Sequence, residues 1–375
     1  MKKTLTLIIL CFSISQLTAQ TMSSIPLAKL ETLHSDIVGE DYKLHITLPF
    51  GYNPNGKKYP VLYYLDAWSN SATVNEMALG MMWFKNIDPI IFVGISYETN
   101  PFSIGKLRKR DYQPPINELD KKNGGGKFLQ FIKTELTPHI EKNYAADPND
   151  RGLMGGSLGG LFCTYALKEE PQLFNRLNII SPALWHGEEY LLKDAELLEN
   201  IKNANGLEVF IACGALEANE MISYANRLFD LVKENKNIQS HKVIFDEEDH
   251  GSVGLPATSR GIRYLYGNEY KILKDKVYDL YKKKEYTKAL KTYQTVFEKH
   301  ADQIDHGDHF DIACLYSLTN NSEKAFNHLQ ALADTNYKKS KNLITDTDLN
   351  NLHDDKRWKV VLANVKKNEE LANKQ

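Results

Sequence analysis

The chain alternates short apolar runs with segments of helical spacing from about residue 25 to residue 266. Continuous apolar runs are typical of strands that are covered on both faces of a sheet. Apolar residues that recur every three or four positions are typical of helices that pack by one face. Because the two kinds of segment take turns, the pattern predicts an α/β fold with a mostly parallel central sheet and helices on both faces. In 42–48 polar and apolar residues alternate, which is typical of a half-buried strand. The other expected strands are 59–65, 90–95, 152–154, 178–180, 207–212 and 241–245, and the helices are 128–144, 161–167 and 224–232.

The character of the sequence changes after Gly267, which leaves 20–267 as the α/β domain. No convincing strand follows, lysine becomes abundant, and two similar segments place Ala289 and Ala325 36 positions apart. This period is close to that of a helix-turn-helix repeat, in which a small residue lets two helices approach closely. We therefore expect an all-helical region over 268–375 that resembles degenerate tetratricopeptide repeats. Two repeats are few for a free-standing solenoid, so this tail is expected to dock on the α/β domain.

Residues 1–19 have the composition of a secretory signal peptide. Two lysines precede an apolar run over 5–12 that is too short to span a bilayer, and Ala19 supplies a small residue before a cleavage site. Export to the periplasm or the outside is therefore expected. A lipoprotein attached at Cys11 is the alternative, although the bulky Leu10 precedes it where a small residue is usual.

Composition excludes several classes of function. The formal net charge of −2 gives no electrostatic reason to expect nucleic acid or an anionic membrane as a partner. No stretch after the leader is long and apolar enough for a membrane helix. Cys163, Cys213 and Cys314 are widely spaced in apolar surroundings, which predicts buried thiols and neither a disulfide framework nor a zinc site. No metal and no cofactor are expected.

The segment 154–160 contains the pattern Gly-x-Ser-x-Gly, with Ser157 between Gly155 and Gly159. It lies between a short strand and a helix, the context in which a nucleophilic serine occupies a sharp strand-to-helix turn. Glycines two residues to either side relieve the crowding of such a turn. The amide of Leu158 would then point toward a developing oxyanion at the start of the helix. The pattern predicts Ser157 as a nucleophile.

A serine nucleophile on this kind of fold requires a histidine later in the chain. His250 lies in a polar loop directly after the strand 241–245. Active sites of open parallel sheets collect at such carboxyl ends of strands. His186 also follows a strand and is the main alternative. We interpret His250 as the base.

The acid of the triad should follow the strand before the one that leads to His250. That strand is 207–212, and the loop after it brings Glu217 within a few residues of its end. Glu220 is the alternative acid. Asp249 adjoins the histidine in sequence, but neighbouring side chains diverge, so Asp249 is not expected to hold the imidazole.

A second oxyanion donor is expected from the loop after an early central strand. The backbone amide of Ala67 or Trp68 occupies that place. Three further aromatic residues, Tyr97, Tyr112 and Trp185, are expected on loops near the strand ends. There they could form an aromatic rim that contacts the substrate, and ordinary packing is the equally good alternative for each of them.

Together these residues resemble the esterase D-like family of α/β-hydrolases, and the region that they span covers about two thirds of the chain. The family includes siderophore esterases, feruloyl and acetyl-xylan esterases, S-formylglutathione hydrolases and mycolyltransferases. The layout is most similar to that of the ferric-enterobactin esterase group. The matching stretches are Tyr59–Asp66, Phe128–Tyr144, Arg151–Leu161, Ser181–Trp185 and Asp249–Gly251.

The resemblance implies an α/β-hydrolase fold and a triad of Ser157, His250 and Glu217 that cleaves esters through an acyl-enzyme. One departure concerns the turn at 66–70, which reads Asp-Ala-Trp-Ser-Asn where many relatives carry a glycine-rich or Asp-Gly turn. The departure affects the assignment of the oxyanion donor and not that of the nucleophile.

The substrate implied by the resemblance is a siderophore ester or a carbohydrate ester. A basic cluster over 106–110 could attract an anionic substrate, but we interpret it as a solvated surface run. Two other functions stay open. The same triad could transfer an acyl group to a second alcohol, or the chain could be a binding module whose helical tail recruits a protein partner.

Overall fold

The computed structural model describes residues 28–97, 101–116 and 124–372. One eight-stranded sheet organises the first two thirds of the chain. The seven strands expected from the apolar runs are all present, and one further strand precedes them. The strands are β1 (Lys29–Ser35), β2 (Glu40–Thr47), β3 (Tyr59–Tyr64), β4 (Ile91–Tyr97), β5 (Ala146–Gly156), β6 (Arg176–Ile180), β7 (Glu208–Gly214) and β8 (Gln239–Phe245).

The strands lie side by side in the order β1-β2-β4-β3-β5-β6-β7-β8. Among the described strands, β2 alone runs in the direction opposite to the other seven, which confirms the expected mostly parallel sheet. The chain proceeds from β3 to β4 on one side and then returns to β5 on the other side of β3. Ligands of open α/β sheets bind at such a reversal, outside the carboxyl ends of the strands.

Helices cover both faces of this sheet, as the alternation of segments predicts. α1 and α9 pack on one face, and most of the others pack on the opposite face. The helix expected over 128–144 is continuous in direction but contains a π-helical segment, Ile132–Leu136, between α3 and α4. The helices of this region are α1 (Ala67–Trp83), α2 (Pro101–Tyr112), α3 (Gly125–Phe131), α4 (Thr137–Asn143), α5 (Leu158–Glu169), α6 (Tyr190–Lys193), α7 (Ala195–Asn203), α8 (Asn219–Glu234) and α9 (Gly254–Tyr266).

The rest of the described chain is helical, as expected from the loss of strand patterns. α10 pairs with α11 and α12 pairs with α13 as successive helical hairpins. Ala289 and Ala325 each occupy the fourth position of the second helix in a hairpin, and both are fully buried. The helices of the tail are α10 (Glu269–Lys282), α11 (Tyr286–Lys299), α12 (His306–Leu318), α13 (Ser322–Asp334), α14 (Ser340–Thr345) and α15 (Lys356–Ala372), with 3-10 turns at Ala301–Gln303 and Thr347–Leu352.

The tail packs around an apolar cluster of its own, separate from the two clusters that flank the sheet. A short junction joins the two regions. The side-chain nitrogen Nδ2 of Asn268 donates to Asp88 Oδ1 over 2.6 Å. The backbone N–H of Asn268 donates to the carbonyl of Asn86. Ile87 and Gly267 form an antiparallel bridge beside these bonds.

The structure bears on the prediction about membrane helices but not on the prediction of a signal peptide. Within the described part of the chain, no helix has both the length and the apolar character that crossing a bilayer requires. The expected signal peptide, 1–19, lies outside the described residues.

Candidate active site

Ser157 occupies the sharp turn between β5 and α5. Its backbone has φ 57° and ψ −116°, a conformation that residues with a side chain rarely adopt. The Ser157 N–H donates to the carbonyl of Ile180 over 2.9 Å, and the Ser157 carbonyl accepts from the N–H of Ala183 over 3.0 Å. Contacts to the neighbouring strand therefore hold the turn, which directs the side chain away from the sheet.

Gly155 explains how this turn can be so tight. A Cβ atom at Gly155 would lie 2.5 Å from the backbone carbonyl of Gly159, closer than real Cβ atoms approach. The end of β5 and the first turn of α5 touch here without any room for a side chain. Gly155, two residues before Ser157, is thus required by the close approach of two backbone segments, as the sequence pattern predicts.

His250 lies in the loop after β8 and connects the serine to an acid. Its Nε2 is 3.1 Å from Ser157 Oγ, and its Nδ1 is 2.6 Å from Glu217 Oε2. When Nδ1 carries the proton and donates it to the carboxylate, Nε2 presents its lone pair to the serine hydroxyl. The side chain of His250 is half exposed, so solvent reaches the imidazole.

Glu217 is buried behind the histidine, with its side chain fully shielded from solvent. Its second oxygen, Oε1, accepts from Ser181 Oγ over 2.5 Å and from the N–H of Gly214 over 2.9 Å. Burial alone would raise the pKa of Glu217. The hydrogen bonds from Ser181, Gly214 and His250 outweigh this effect and hold the pKa below its usual value, so the carboxylate is ionised at neutral pH.

The alternatives that the sequence left open lie elsewhere. His186 is buried, with its Nε2 3.2 Å from the carbonyl of Pro114. Glu220 is exposed in the first turn of α8. Asp249 binds the backbone that follows it, because its Oδ1 accepts from the N–H groups of Gly251 and Ser252. None of these bonds joins the chain of Glu217, His250 and Ser157.

Two of the residues expected to supply oxyanion donors each begin a helix. Leu158 is the first residue of α5 and Ala67 is the first residue of α1. The first N–H groups of a helix have no acceptor within it, so both are free to bind a ligand oxygen. The two helix starts lie close together. A Cβ atom at Gly159, the second residue of α5, would lie 3.3 Å from the side chain of Leu65, two residues before α1. Trp68 follows as the second residue of α1 and has an exposed side chain.

The aromatic rim was predicted wrongly for two of its three residues. Tyr97 is the last residue of β4, Tyr112 is the last residue of α2, and both are buried in the apolar cluster of the sheet. A loop position was expected for Tyr97 because the continuous apolar run of its strand ends at residue 95. It was expected for Tyr112 because the polar sequence of α2 gives little sign of a helix. Trp185 is exposed, as the prediction requires.

Three contributing residues were missed by the sequence interpretation. Ser181, directly after β6, donates to the buried carboxylate of Glu217. Asp66, after β3, accepts two hydrogen bonds from Arg108, a residue of the cluster that was interpreted as a solvated surface run. Ser181 and Asp66 follow the carboxyl ends of the two strands that flank β5, and this position is the signal that could have identified them.

A cleft of about 370 Å³ opens beside His250. Its walls combine apolar and hydroxyl side chains, which suits an ester that has both apolar and hydrogen-bonding groups. The charged side chain of Asp66 also faces this cleft. Characteristic lining residues are Met77, Met154 and Leu255 on the apolar side and Ser69, Thr73 and Thr258 on the polar side.

Comparison with known families agrees with this geometry. The model of the family described as "Putative esterase" matches residues 35–252, which is more than half of the chain. The chain belongs to this esterase family. The match includes every residue of the hydrogen-bonded chain, from Ser157 to His250.

Two curated relatives share about the same identity with this esterase. The ferri-bacillibactin esterase BesA of Bacillus subtilis is 29% identical over 263 residues, which cover 64% of this chain and 90% of the relative. The apo-salmochelin esterase of Escherichia coli O6:H1 is 29% identical over 155 residues, which cover 38% of this chain and 48% of the relative. The chain therefore matches nearly all of the first relative and about half of the second.

Solved structures share the fold. The BES protein from Bacillus cereus superposes with a TM-score of 0.57 at 27% identity, over 64% of this chain and 96% of that one. An IroE-like serine hydrolase from Shewanella oneidensis superposes with a TM-score of 0.53 at 23% identity, over 81% of this chain and 98% of that one. At 23% identity the second likeness concerns the fold alone. With the family and the curated relatives, the protein is an esterase, a hydrolase that acts on ester bonds.

Proposed function

We propose that Ser157, His250 and Glu217 form a catalytic triad that hydrolyses carboxylic esters through an acyl-enzyme. The observation that carries this proposal is the unbroken chain of hydrogen bonds from the buried carboxylate to the serine hydroxyl, at the edge of an open cleft. A nucleophile, a base and a group that orients the base are the parts that acyl transfer to a hydroxyl requires.

In the first step, Ser157 Oγ attacks the acyl carbon while His250 Nε2 takes the hydroxyl proton. The tetrahedral intermediate collapses when the bond between the acyl carbon and the alcohol oxygen breaks. His250 gives its proton to the departing alcohol, which leaves an ester on Ser157. The ionised Glu217 keeps the imidazole in the required tautomer and stabilises the imidazolium that forms transiently.

The developing negative charge on the acyl oxygen is bound by two backbone amides. Leu158 supplies one, and Ala67 supplies the other, with Trp68 as the alternative donor one position further on. Amides fixed at helix starts need no reorganisation when the charge develops. Each such donor is worth roughly 10²- to 10³-fold in turnover.

Deacylation repeats these steps with water as the nucleophile. His250 removes a proton from water, which attacks the acyl carbon, and Ser157 leaves with the proton returned by the imidazole. The half-exposed side chain of His250 supports hydrolysis over transfer to a second alcohol, because water reaches the base directly. An acyltransferase would need to exclude that water.

We propose a siderophore ester as the substrate. The support comes from relatives described as ferri-bacillibactin and apo-salmochelin esterases, and from exposed apolar side chains in loops and helix starts after the strands, of which Leu255 lines the cleft, that suit an aryl-bearing acyl group. A carbohydrate ester is the second candidate, since the hydroxyl side chains of the cleft suit a sugar. The exposed apolar side chains are Trp68, Trp185, Leu216 and Leu255.

A substrate panel tests this proposal. Catecholate trilactone, hydroxamate siderophore, feruloyl, acetyl-sugar and p-nitrophenyl esters are compared with the purified protein and with Ser157→Ala. A fluorophosphonate probe reports the nucleophile independently of the substrate. Siderophore hydrolysis that disappears with Ser157→Ala supports the proposal, whereas a folded protein that is neither labelled at Ser157 nor active on any ester contradicts it.

We further propose that the protein is exported after cleavage behind Ala19 and that the helical tail recruits a protein partner. Amino-terminal sequencing of protein from the periplasm or medium tests the first point, with Gln20 as the expected first residue. Affinity capture with the separate tail and with the intact chain tests the second. A partner that the intact chain binds and that a tail-deleted chain does not bind supports it.

A further inference from the structure

The turn after β3 is fixed by an unusual backbone conformation. Asp66, directly before α1, has φ 59° and ψ 32°, in the left-handed region that favours glycine, and its side chain does not cap the helix. The sequence departs here from the glycine-containing turn of many relatives. An aspartate thus adopts the conformation that a glycine would adopt more readily, at the residue before the proposed donor Ala67.

Three side chains hold this turn in place. Arg108 of α2 donates from Nε to Asp66 Oδ1 over 2.6 Å and from Nη2 to Asp66 Oδ2 over 2.9 Å. The backbone N–H of Asp66 donates to the hydroxyl of Tyr112 over 3.3 Å. The indole of Trp68 donates to Asp66 Oδ1, also over 3.3 Å. A two-pronged bond from a planar guanidinium fixes both the position and the orientation of a carboxylate.

The carboxylate of Asp66 lies beside the reaction centre. Its side chain is only 13% exposed, it lines the cleft, and a Cβ at Gly159 would lie 3.8 Å from its Oδ2. Gly159 directly follows Leu158, the first proposed oxyanion donor. An unpaired carboxylate at this place would repel the negative charge that develops on the acyl oxygen. The guanidinium of Arg108 cancels that charge.

We propose that Arg108 is a positioning residue for the oxyanion site and that it acts through Asp66. It neutralises the carboxylate next to the reacting oxygen, and it holds the strained turn that aims the Ala67 amide. This inference rests on the proposed function of the triad. It also gives a role to a basic residue that the sequence interpretation assigned to the solvated surface.

Arg110, two positions further along α2, offers a matched control. It makes the same kind of two-pronged bond, to the buried carboxylate of Asp111, over 2.6 Å and 3.0 Å. A third bond of 2.8 Å joins it to Glu40. Arg110→Met therefore removes a comparable ion pair from the same helix without touching the turn at Asp66.

The test is a double-mutant cycle in the full-length protein with Arg108→Met, Asp66→Asn, the double variant and Arg110→Met. We expect Arg108→Met to lower kcat for p-nitrophenyl acetate by about 10- to 100-fold with KM within about threefold, because oxyanion binding is lost and substrate binding is kept. Asp66→Asn removes the charge but also loses part of the hold on the turn, so it should lower kcat by less than Arg108→Met does, about 3- to 10-fold. In the Asp66→Asn background, Arg108→Met should cost less than about threefold.

Each outcome has a definite meaning. Unchanged kcat in Arg108→Met, or the same loss in Arg110→Met, overturns the proposal. An equal cost of Arg108→Met in both backgrounds also overturns it, because Arg108 would then act without Asp66. Circular dichroism and melting temperatures confirm that the variants fold. If the wild-type protein is inert toward all esters, the proposed triad itself is contradicted. If the wild type turns over esters and Arg108→Met does so equally well, only the proposal for Arg108 is contradicted.

Discussion

The α/β region and the helical tail both contain non-glycine residues with positive φ, but only the α/β region has them at strand ends. Three of the six in the described α/β region, Asp66, Ser157 and Ser181, follow the carboxyl ends of β3, β5 and β6, strands that lie side by side in the sheet. The other three are Lys85 after α1 and Glu188 and Glu189 before α6. In the tail, residues in the same region of φ follow helix ends, where the chain turns back. These tail residues are Lys284, Asn320 and Asn336.

The difference lies in what each strained residue does. In the tail, the backbone of the strained residue ends a helix, since the N–H of Lys284 donates to the carbonyl of Tyr281 in its last turn. At the strand ends, the side chains make the essential bonds: Ser157 to His250, and Ser181 to Glu217. Glycine should therefore replace the tail residues without harm and should destroy the function of the strand-end residues.

The largest effect is expected at Ser157. Ser157→Gly and Ser157→Ala should each lower turnover by about 10⁴-fold or more, because both remove the proposed nucleophile. They should differ in stability by about 1 kcal/mol in favour of glycine, which adopts the strained conformation at lower cost. Ester hydrolysis and urea unfolding measure the two effects. A glycine variant less stable than the alanine variant would contradict the strain at this turn.

Ser181→Ala should have the next largest effect, a loss of about 1.5 to 3 kcal/mol in the free energy of unfolding at neutral pH. The hydroxyl of Ser181 helps to depress the pKa of the buried Glu217. A depressed pKa contributes stability that is complete above the pKa of the unfolded chain and is lost as the pH falls through the folded value. The gap between wild type and variant should therefore be widest at neutral pH and shrink as acid protonates Glu217.

Urea unfolding at several pH values measures this gap. Ser322→Ala, at the exposed start of α13, is the matched control from the tail, and its effect should not depend on pH over the same range. A gap for Ser181→Ala that widens as the pH falls would reverse the assigned role of the Ser181 hydroxyl.

Lys284→Gly should have a smaller effect of the opposite sign. The variant should gain about 0.5 to 1 kcal/mol, because glycine accepts the left-handed conformation after α10 and the side chain of Lys284 is exposed to solvent. Lys276→Gly, at an exposed position inside α10, is the control and should lose about 1 kcal/mol. Thermal unfolding of the two variants compares them. Equal losses would mean that the φ of Lys284 carries no strain.

The sequence sufficed for those parts of the fold that depend on local pattern. Apolar runs and, for 42–48, the alternation of polar and apolar residues identified seven of the eight described strands. The 36-residue spacing of Ala289 and Ala325 anticipated equivalent buried positions in two helical hairpins. The rule that active residues follow strand ends also led to Ser157, Glu217 and His250. These side chains meet because neighbouring parallel strands end at the same edge of the sheet.

Other parts depend on contacts that no local pattern records. α1 was missed because several of its buried positions hold small side chains such as Ala67 and Ala78, which give a weak apolar stripe. α2 was missed because it is rich in charge, and its burial of Tyr112 overturned the expected rim. The bond between Arg108 and Asp66 joins residues on separate elements, and only the folded topology brings them together.

Removing the tail is expected to change activity least. A chain that ends at Asn268 keeps the bonds of the junction to Asp88 and Asn86 and loses only helices that pack around a separate apolar cluster. Because the residues of the proposed site and its cleft all precede the junction, kcat/KM should stay within about twofold of the full-length value. Esterase assays and the melting temperature of the shortened chain measure the effect of removing the tail. Asn268→Ala in the full-length chain is the control, because it removes the junction bonds of that side chain and keeps the helices of the tail. Aggregation of the shortened chain, or a loss of more than about tenfold in kcat/KM, would mean that the tail stabilises the α/β region. The tail would then not be independent of the strand ends that carry the proposed site.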